Sequence, residues 1–137
     1  LTILLLASCD TKDITYPQQS DLKIYLNEIL ADNETTLAEE NGEFADWFEL
    51  WNAESRSVNL KGFPFKNSEK IYELHSDLTI ESGEHLIFWC DGDSSGNHTN
   101  FELSAAADKL VLFDAENRLV DKVEFADLQT DISFGRI

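Results

Sequence analysis

Two glutamates, Glu28 and Glu49, are the residues best suited to acid–base chemistry, and they lie in separate strand-like segments of the chain. A pair of carboxylates can act as general acid and general base, as it does in glycosidases. The surrounding sequence gives no indication of a sugar-binding cleft. We therefore keep two interpretations, an acid–base pair and a structural role, and favour the structural one.

The structural interpretation rests on the apolar residues that share a strand face with Glu28. A period of two along its strand places Glu28 on the same face as Leu22 and Leu26. A carboxylate among apolar side chains costs several kcal/mol unless it is paired. A planar guanidinium suits a partly buried carboxylate, and Arg136 is one of only three arginines. We expect Arg136 to bind Glu28 or Glu49.

The segment DWFELWN, residues 46–52, mixes aromatic and polar residues in one strand. Alternation sends Trp47, Glu49 and Trp51 to one face and Asp46, Phe48, Leu50 and Asn52 to the other. Each face then carries apolar and polar groups, as happens where a sheet packs and must also satisfy its polar atoms. The pattern predicts a structural polar network made of Glu28, Asp46, Glu49, Asn52 and Arg136.

A candidate metal site lies in the segment DGDSSGN, residues 91–97, which has oxygen-bearing side chains at alternate positions: Asp91, Asp93, Ser95 and Asn97. This spacing resembles a Ca²⁺-binding loop, and oxygen atoms are the ligands that Ca²⁺ takes. A strand-like run precedes the loop where an EF-hand has a helix. A plain turn rich in Asp and Asn is therefore the favoured interpretation, with weak Ca²⁺ binding as the alternative.

The three histidines, His75, His85 and His98, fit no HExxH spacing. The chain also contains no GxSxG, CxxC or GxxxxGK[ST] motif. Scattered histidines of this kind are expected at the surface or in packing contacts. No catalytic residue is predicted.

The apolar run LTILLLASC, residues 1–9, is too short to span a bilayer and ends in Cys9. Residues 6–9, Leu-Ala-Ser-Cys, resemble the lipobox of bacterial lipoproteins, in which cleavage precedes a cysteine that is then lipidated. A chance cysteine after an apolar strand is the alternative. The resemblance makes residues 1–8 the end of a signal peptide and residues 9–21 a lipidated N-terminus and tether. Cys90, left without a partner, is expected to be a buried thiol.

The charge of the chain is −17, with 27 acidic residues against 10 basic ones. Residues 24–55 contain nine acids and neither Lys nor Arg. DNA binding depends on clustered lysines and arginines that displace counterions from phosphates. We expect no nucleic-acid partner, and we read the acidic stretch as a solvated surface.

The elements that must position these residues are short strands separated by turn-forming clusters. One domain of 137 residues made of such strands is typical of a β-sandwich of immunoglobulin-like size. The hairpin connection AEN, residues 115–117, separates two of the strands.

A series of motifs between residues 22 and 136 resembles, in order, the lamin tail domain: LNEIL, GEFADWFELWN, VNLKGFPF, LTIESGEHLIFWCDG, HTNFELS, KLVLFDAENRLVDKVEF and DISFGR. The resemblance implies a non-catalytic immunoglobulin-like sandwich over residues 22–137, shortened at its C-terminal end. In bacteria the family occurs on secreted and membrane-anchored proteins, sometimes beside hydrolase or nuclease domains. The expected function is a lipid-anchored binding or spacer module of the cell envelope with an unknown protein or surface ligand. The alternative is an accessory domain of an envelope hydrolase or nuclease whose catalytic part lies beyond residue 137.

Overall fold

The computed structural model describes residues 17–136, and every regular element in that range is a β-strand. The turn-rich sequence with strand-like alternation therefore yields the expected all-β sandwich. The strands, in chain order, are β1 (Ile24–Leu30), β2 (Asp46–Asn52), β3 (Val58–Asn59), β4 (Pro64–Lys66), β5 (Ile71–Glu73), β6 (Thr79–Ile80), β7 (His85–Cys90), β8 (Ala107–Phe113), β9 (Leu119–Ala126) and β10 (Phe134–Gly135).

Two four-stranded sheets form the layers of the sandwich. The first sheet has the order β10-β1-β2-β7 and the second sheet the order β5-β4-β8-β9. Strands β3 and β6 form a separate two-stranded ribbon. All of these named strands pair antiparallel, and the β8–β9 hairpin turns at the predicted AEN connection.

The core lies between the two sheets, and three phenylalanines join them. Phe48 of β2 and Phe88 of β7 stack with ring centroids 5.2 Å apart, and Phe65 of β4 packs 4.7 Å from Phe88. All three rings are almost fully buried. Burying one such side chain stabilises the fold by about 1.5–3 kcal/mol. Packing of the three rings therefore holds the first sheet against the second.

A β-bulge in β1 changes which face of the first sheet Glu28 occupies. Leu26 pairs with Leu50, but the next pair is Glu28 with Glu49, so Asn27 is the extra residue. One extra residue inverts the alternation beyond it. Glu28 therefore shares the outer face with Glu49, and the expectation that Glu28 shares the face of Leu26 is wrong.

The outer face of the first sheet explains the aromatics of DWFELWN. Trp47 packs with Leu30 and Trp89 in a small buried cluster that is separate from the main core. Further along, the ring of Trp51 lies 5.7 Å from Tyr25 and stacks 6.2 Å from His85. One face of β2 thus enters the core, while the other supports a row of aromatic rings.

Candidate functional site

Arg136 lies where the two sheets meet, at the side of the sandwich where β1 faces β9. Its Nη2 is 2.6 Å from both carboxylate oxygens of Asp121 on β9, and its Nε donates to the carbonyl of Leu26 on β1 at 3.1 Å. The N–H of Leu26 donates to the same Asp121 carboxylate at 2.8 Å. We call Leu26, Asp121 and Arg136 the Arg136 clasp. It links the first sheet to the second.

The expected pairing of Arg136 with Glu28 or Glu49 is therefore wrong. The bulge turns Glu28 outward, where it accepts a hydrogen bond from the Ser133 hydroxyl. Glu49 accepts one from the Asn27 amide at 2.8 Å. Each glutamate thus has its own neutral donor. The two lie opposite each other across β1 and β2.

The other two members of the predicted polar network serve the backbone. Asn52 is fully buried, and its amide donates at 2.9 Å to the carbonyls of Arg56 and Ile80. Asp46 accepts a hydrogen bond from the N–H of Asn33 at 3.1 Å, and burial raises the pKa of Asp46. Both side chains hold loops against β2.

The loop 91–97 folds as a turn around Asp91. Its Oδ1 accepts the N–H of Asp93 at 3.0 Å, and the Ser95 hydroxyl donates to Asp93 at 3.4 Å. The Asn97 amide donates to the carbonyl of Ile87 at 3.0 Å, which fastens it to β7. These contacts are those of an Asx-type turn. Calcium binding by Asp91, Asp93, Ser95 and Asn97 stays a prediction.

A different cluster forms at Asp91, and it includes residues that sequence patterns did not single out as a site. Nδ1 of His98 lies 2.5 Å from Oδ2 of Asp91 and 3.8 Å from Oε2 of Glu39. One ligand atom from each of the three side chains lies within 4.8 Å of the others. The sequence predicts His98 at the surface or in packing contacts and Glu39 in a solvated acidic surface, and the structure brings both side chains to Asp91. We call these three residues and the acidic side chains around them the acidic cleft.

Backbone hydrogen bonds hold the two loops that build the acidic cleft. Trp89 donates its N–H to the carbonyl of Asn97 at 2.8 Å and accepts the N–H of Thr99 at 2.8 Å, which places His98 beside the end of β7. Glu39 opens a turn in which its carbonyl accepts the N–H of Gly42 at 2.9 Å. Gly42 has a φ of +87°, a conformation that glycine adopts without strain.

The electrostatics of the acidic cleft are unusual for a surface loop. The side chain of Glu39 is only 5% exposed, and its burial, followed by the charge of Asp91, raises its pKa. Burial alone lowers the pKa of His98, but its hydrogen bond with Asp91 and the charge of Asp91 outweigh burial, so the pKa of His98 is raised. The remaining acidic residues that line the cleft are Glu40, Glu43 and Asp93.

The other sequence candidates lie apart from the cleft. His75 is 83% exposed, and His85 lies over Trp51 on the outer face of the first sheet. Cys90 is buried, as expected, and burial raises the pKa of its thiol well above the usual value. Cys9 lies outside the described residues. Between residues 17 and 136, no helix has the length and apolar character needed to cross a membrane.

Comparison with known families gives one match. The family model for the Lamin Tail Domain matches residues 17–127, which covers most of the chain and includes strands β1 to β9. No curated protein sequence matches the chain significantly. The matched range contains the acidic cleft and Asp121, whereas Arg136 lies beyond it.

Proposed function

Because the chain belongs to the lamin tail domain family, whose immunoglobulin-like members generally act as protein-interaction modules without catalysis, we propose that it is a non-catalytic binding or spacer module. We further propose that it is anchored to the bacterial cell envelope by lipid on Cys9 and mediates protein or surface contacts there. The predicted peptide before Cys9 is then removed, and residues 9–21 form the tether.

The hydrogen bonds made by the residues of the predicted polar network carry this proposal. Asn52, Asp46 and Arg136 each form hydrogen bonds with backbone groups or with a partner side chain. Glu28 and Glu49 likewise have local donors. These residues are therefore suited to holding loops and sheets in place, and not to moving a substrate's protons.

Exposed apolar side chains provide surface for contacts. Large apolar residues at a protein surface are common singly, and grouped ones mark interaction sites. Here they occur in loops and on the edge strands of both sheets. Those more than a third exposed, within residues 17–136, are Leu37, Phe44, Ile71, Ile132 and Phe134.

The contact between the N-terminal segment and β9 supports a tether that leads to the sandwich. Ser20 donates its N–H to the carbonyl of Leu119 at 2.8 Å, and Leu119 donates its own N–H to the carbonyl of Gln18 at 2.7 Å. The chain thus joins the second sheet at a defined place. A membrane anchor upstream would hold the domain by this end.

Cys9→Ser tests the anchor directly. The protein is expressed from its full gene in a bacterial host and partitioned between detergent and aqueous phases. We expect the wild type in the detergent phase and Cys9→Ser in the aqueous phase or unprocessed, because serine carries no thiol for lipid attachment. Ser8→Ala, which keeps a small residue before the cleavage site, is the control and should behave as wild type. Membrane association that is unchanged in Cys9→Ser would contradict the proposal.

The second candidate, an accessory domain of an envelope hydrolase or nuclease, is decided by the gene sequence after residue 137. A catalytic domain encoded there favours the accessory role. Purified chain can also be assayed for glycan and nucleic-acid hydrolysis beside Glu49→Gln. Activity that depends on Glu49 would overturn the non-catalytic proposal. Binding to labelled DNA is expected to be undetectable at physiological salt, because the described surface is strongly acidic.

A further inference from the structure

The acidic cleft combines donors from two loops at one end of the first sheet. Glu39 comes from the loop between β1 and β2, while Asp91 and His98 come from the loop between β7 and β8. We propose that Glu39, Asp91 and His98 bind one divalent transition-metal cation, for which Zn²⁺ is the best match. This site is independent of the protein-binding function proposed above.

The spacing of the three donor atoms suits a single ion. Zn²⁺ binds nitrogen and oxygen at about 2.0–2.2 Å, which separates neighbouring ligands of a tetrahedron by about 3.3 Å. The His98–Asp91 and His98–Glu39 separations, 2.5 and 3.8 Å, lie on either side of that value. Small side-chain rotations would bring all three donors to one ion. A water molecule could complete a tetrahedral set, as in other three-ligand zinc sites.

The state of Glu39 is a second observation that points to a cation. Its side chain is 95% buried, and Nδ1 of His98, 3.8 Å from its Oε2, is too distant for a hydrogen bond. Its Oε2 faces the His98–Asp91 pair. A buried carboxylate without a donor is costly, and buried charges in proteins are usually paired or bound to metals. A metal ion would bind the carboxylate directly, whereas His98 reaches it only at 3.8 Å.

The chemistry of the donors selects the class of ion. Imidazole nitrogen suits Zn²⁺, Fe²⁺, Ni²⁺ and Cu²⁺, whereas Ca²⁺ takes six to eight oxygen ligands. The cleft offers a His98 nitrogen beside two carboxylates, and Asn97, the last residue of the calcium spacing, is not part of this cluster. The residues that line the cleft include Glu40, Glu43 and Asp93 but neither Lys nor Arg. Such a field concentrates cations at the site.

The test uses the 137-residue chain without a polyhistidine tag, purified in mild detergent and stripped of metal with a chelator that is then removed. Zn²⁺ and Ca²⁺ are titrated separately by calorimetry, and melting temperatures are recorded with and without each ion. We expect Zn²⁺ to bind with a stoichiometry of about one and to raise the melting temperature by mass action. Glu39→Gln and His98→Gln should each weaken Zn²⁺ binding at least about 10-fold. His75→Gln, which changes an exposed histidine outside the cleft, is the matched control and should bind as wild type.

Glu39→Gln keeps the test decisive if His98→Gln does not fold, because glutamine has nearly the same shape as glutamate and the substitution removes only a long contact with His98. Circular dichroism of the metal-free variant verifies its fold. No Zn²⁺ binding by the wild type, or binding that Glu39→Gln leaves unchanged, would overturn the proposal. Ca²⁺ binding that is tighter than Zn²⁺ binding and is lost in Asp93→Asn would overturn it as well, in favour of a calcium loop at residues 91–97.

Discussion

The Arg136 clasp and the acidic cleft both gather polar groups from chain segments that are far apart in sequence, but they leave their carboxylates in different states. In the clasp, Asp121 receives the guanidinium of Arg136 and the N–H of Leu26. In the cleft, the more deeply buried Glu39 side chain faces Nδ1 of His98 at 3.8 Å, which is too far for a hydrogen bond. The polar groups of the clasp therefore bind one another and stabilise the fold, whereas the Glu39 carboxylate is available to bind a partner from outside the chain.

Asp121→Ala should have the largest effect on this comparison. The substitution removes from the second sheet the acceptor of both the Leu26 N–H and Arg136, which belong to the first sheet. We expect a loss of about 1–3 kcal/mol in the free energy of unfolding, because the part-buried N–H of Leu26 and the guanidinium of Arg136 both lose their partner. Urea unfolding measures it. Glu116→Ala removes an exposed carboxylate near Arg118 and is the control, with an expected change within about 0.5 kcal/mol. Equal stabilities for Asp121→Ala and wild type would show that the clasp does not hold the sheets together.

Arg136→Ala should cost less than Asp121→Ala, about 1 kcal/mol, because the arginine side chain is 45% exposed and water screens its ion pair. The Leu26–Asp121 hydrogen bond remains in this variant. The double variant with Asp121→Ala completes a thermodynamic cycle. We expect the two losses to be non-additive by about 0.5 kcal/mol or more, since the groups share one contact. Strict additivity would mean that the pair does not interact in solution.

Acid should weaken the contact between the segment before β10 and the loop after β1, through Asp131. Its carboxylate accepts the Thr35 hydroxyl at 2.6 Å and the N–H groups of Thr35 and Glu34, and these bonds, the hydroxyl first, hold the pKa of Asp131 well below its usual 3.8. A lowered folded-state pKa means that Asp131 stabilises fully above the unfolded-state pKa and that this contribution is lost as pH falls through the folded-state value.

Asp131→Asn should therefore be less stable than wild type at neutral pH, and the difference should shrink as the pH falls below about 3. Unfolding curves at several pH values for both proteins measure the gap. A gap that stays constant down to about pH 2 would show that ionisation of Asp131 does not matter.

Glu39→Gln should have the smallest effect on stability, and of the opposite sign. Burial and the neighbouring Asp91 raise the pKa of Glu39, so at neutral pH the ionised side chain is less favourable in the folded chain than in the unfolded chain. A neutral amide removes that penalty. Without metal, the melting temperature should equal or slightly exceed that of wild type. A clear decrease would indicate that the carboxylate makes a stabilising contact within the protein.

Local sequence patterns were sufficient for the strands and for the two faces of β2. Alternation in DWFELWN places Phe48 and Leu50 on one face, and the structure shows both of them fully buried. The bulge at Asn27 was not predictable in this way, because its position depends on how β1 pairs with β2. That single extra residue moved Glu28 to the other face and removed the assumed reason for its pairing with Arg136.

The acidic cleft could not be found from spacing, since Glu39 and His98 come from loops that only the folded sheet brings together. Asp91 and His98 share one loop, which is the only local signal. Motif searches for histidine test fixed spacings such as HExxH, and this arrangement has none of them. The alternating oxygen pattern of residues 91–97 lies in the loop that contributes Asp91 and His98 to the cleft. The pattern shares only Asp91 with the three clustered side chains.

The short length of β10 gives the Arg136 clasp a further consequence for how copies of the chain behave together. Among residues 17–136, β10 pairs with Glu28 and Ile29 and leaves the backbone of β1 at Leu26 without a strand partner on that side. Open edges invite edge-to-edge pairing between molecules and can start aggregation. Asp121 occupies the N–H of Leu26 and Arg136 occupies its carbonyl, so charged side chains fill the positions that an incoming strand would use. With these backbone groups already hydrogen-bonded, we expect the clasp to hinder pairing of a second chain along this edge.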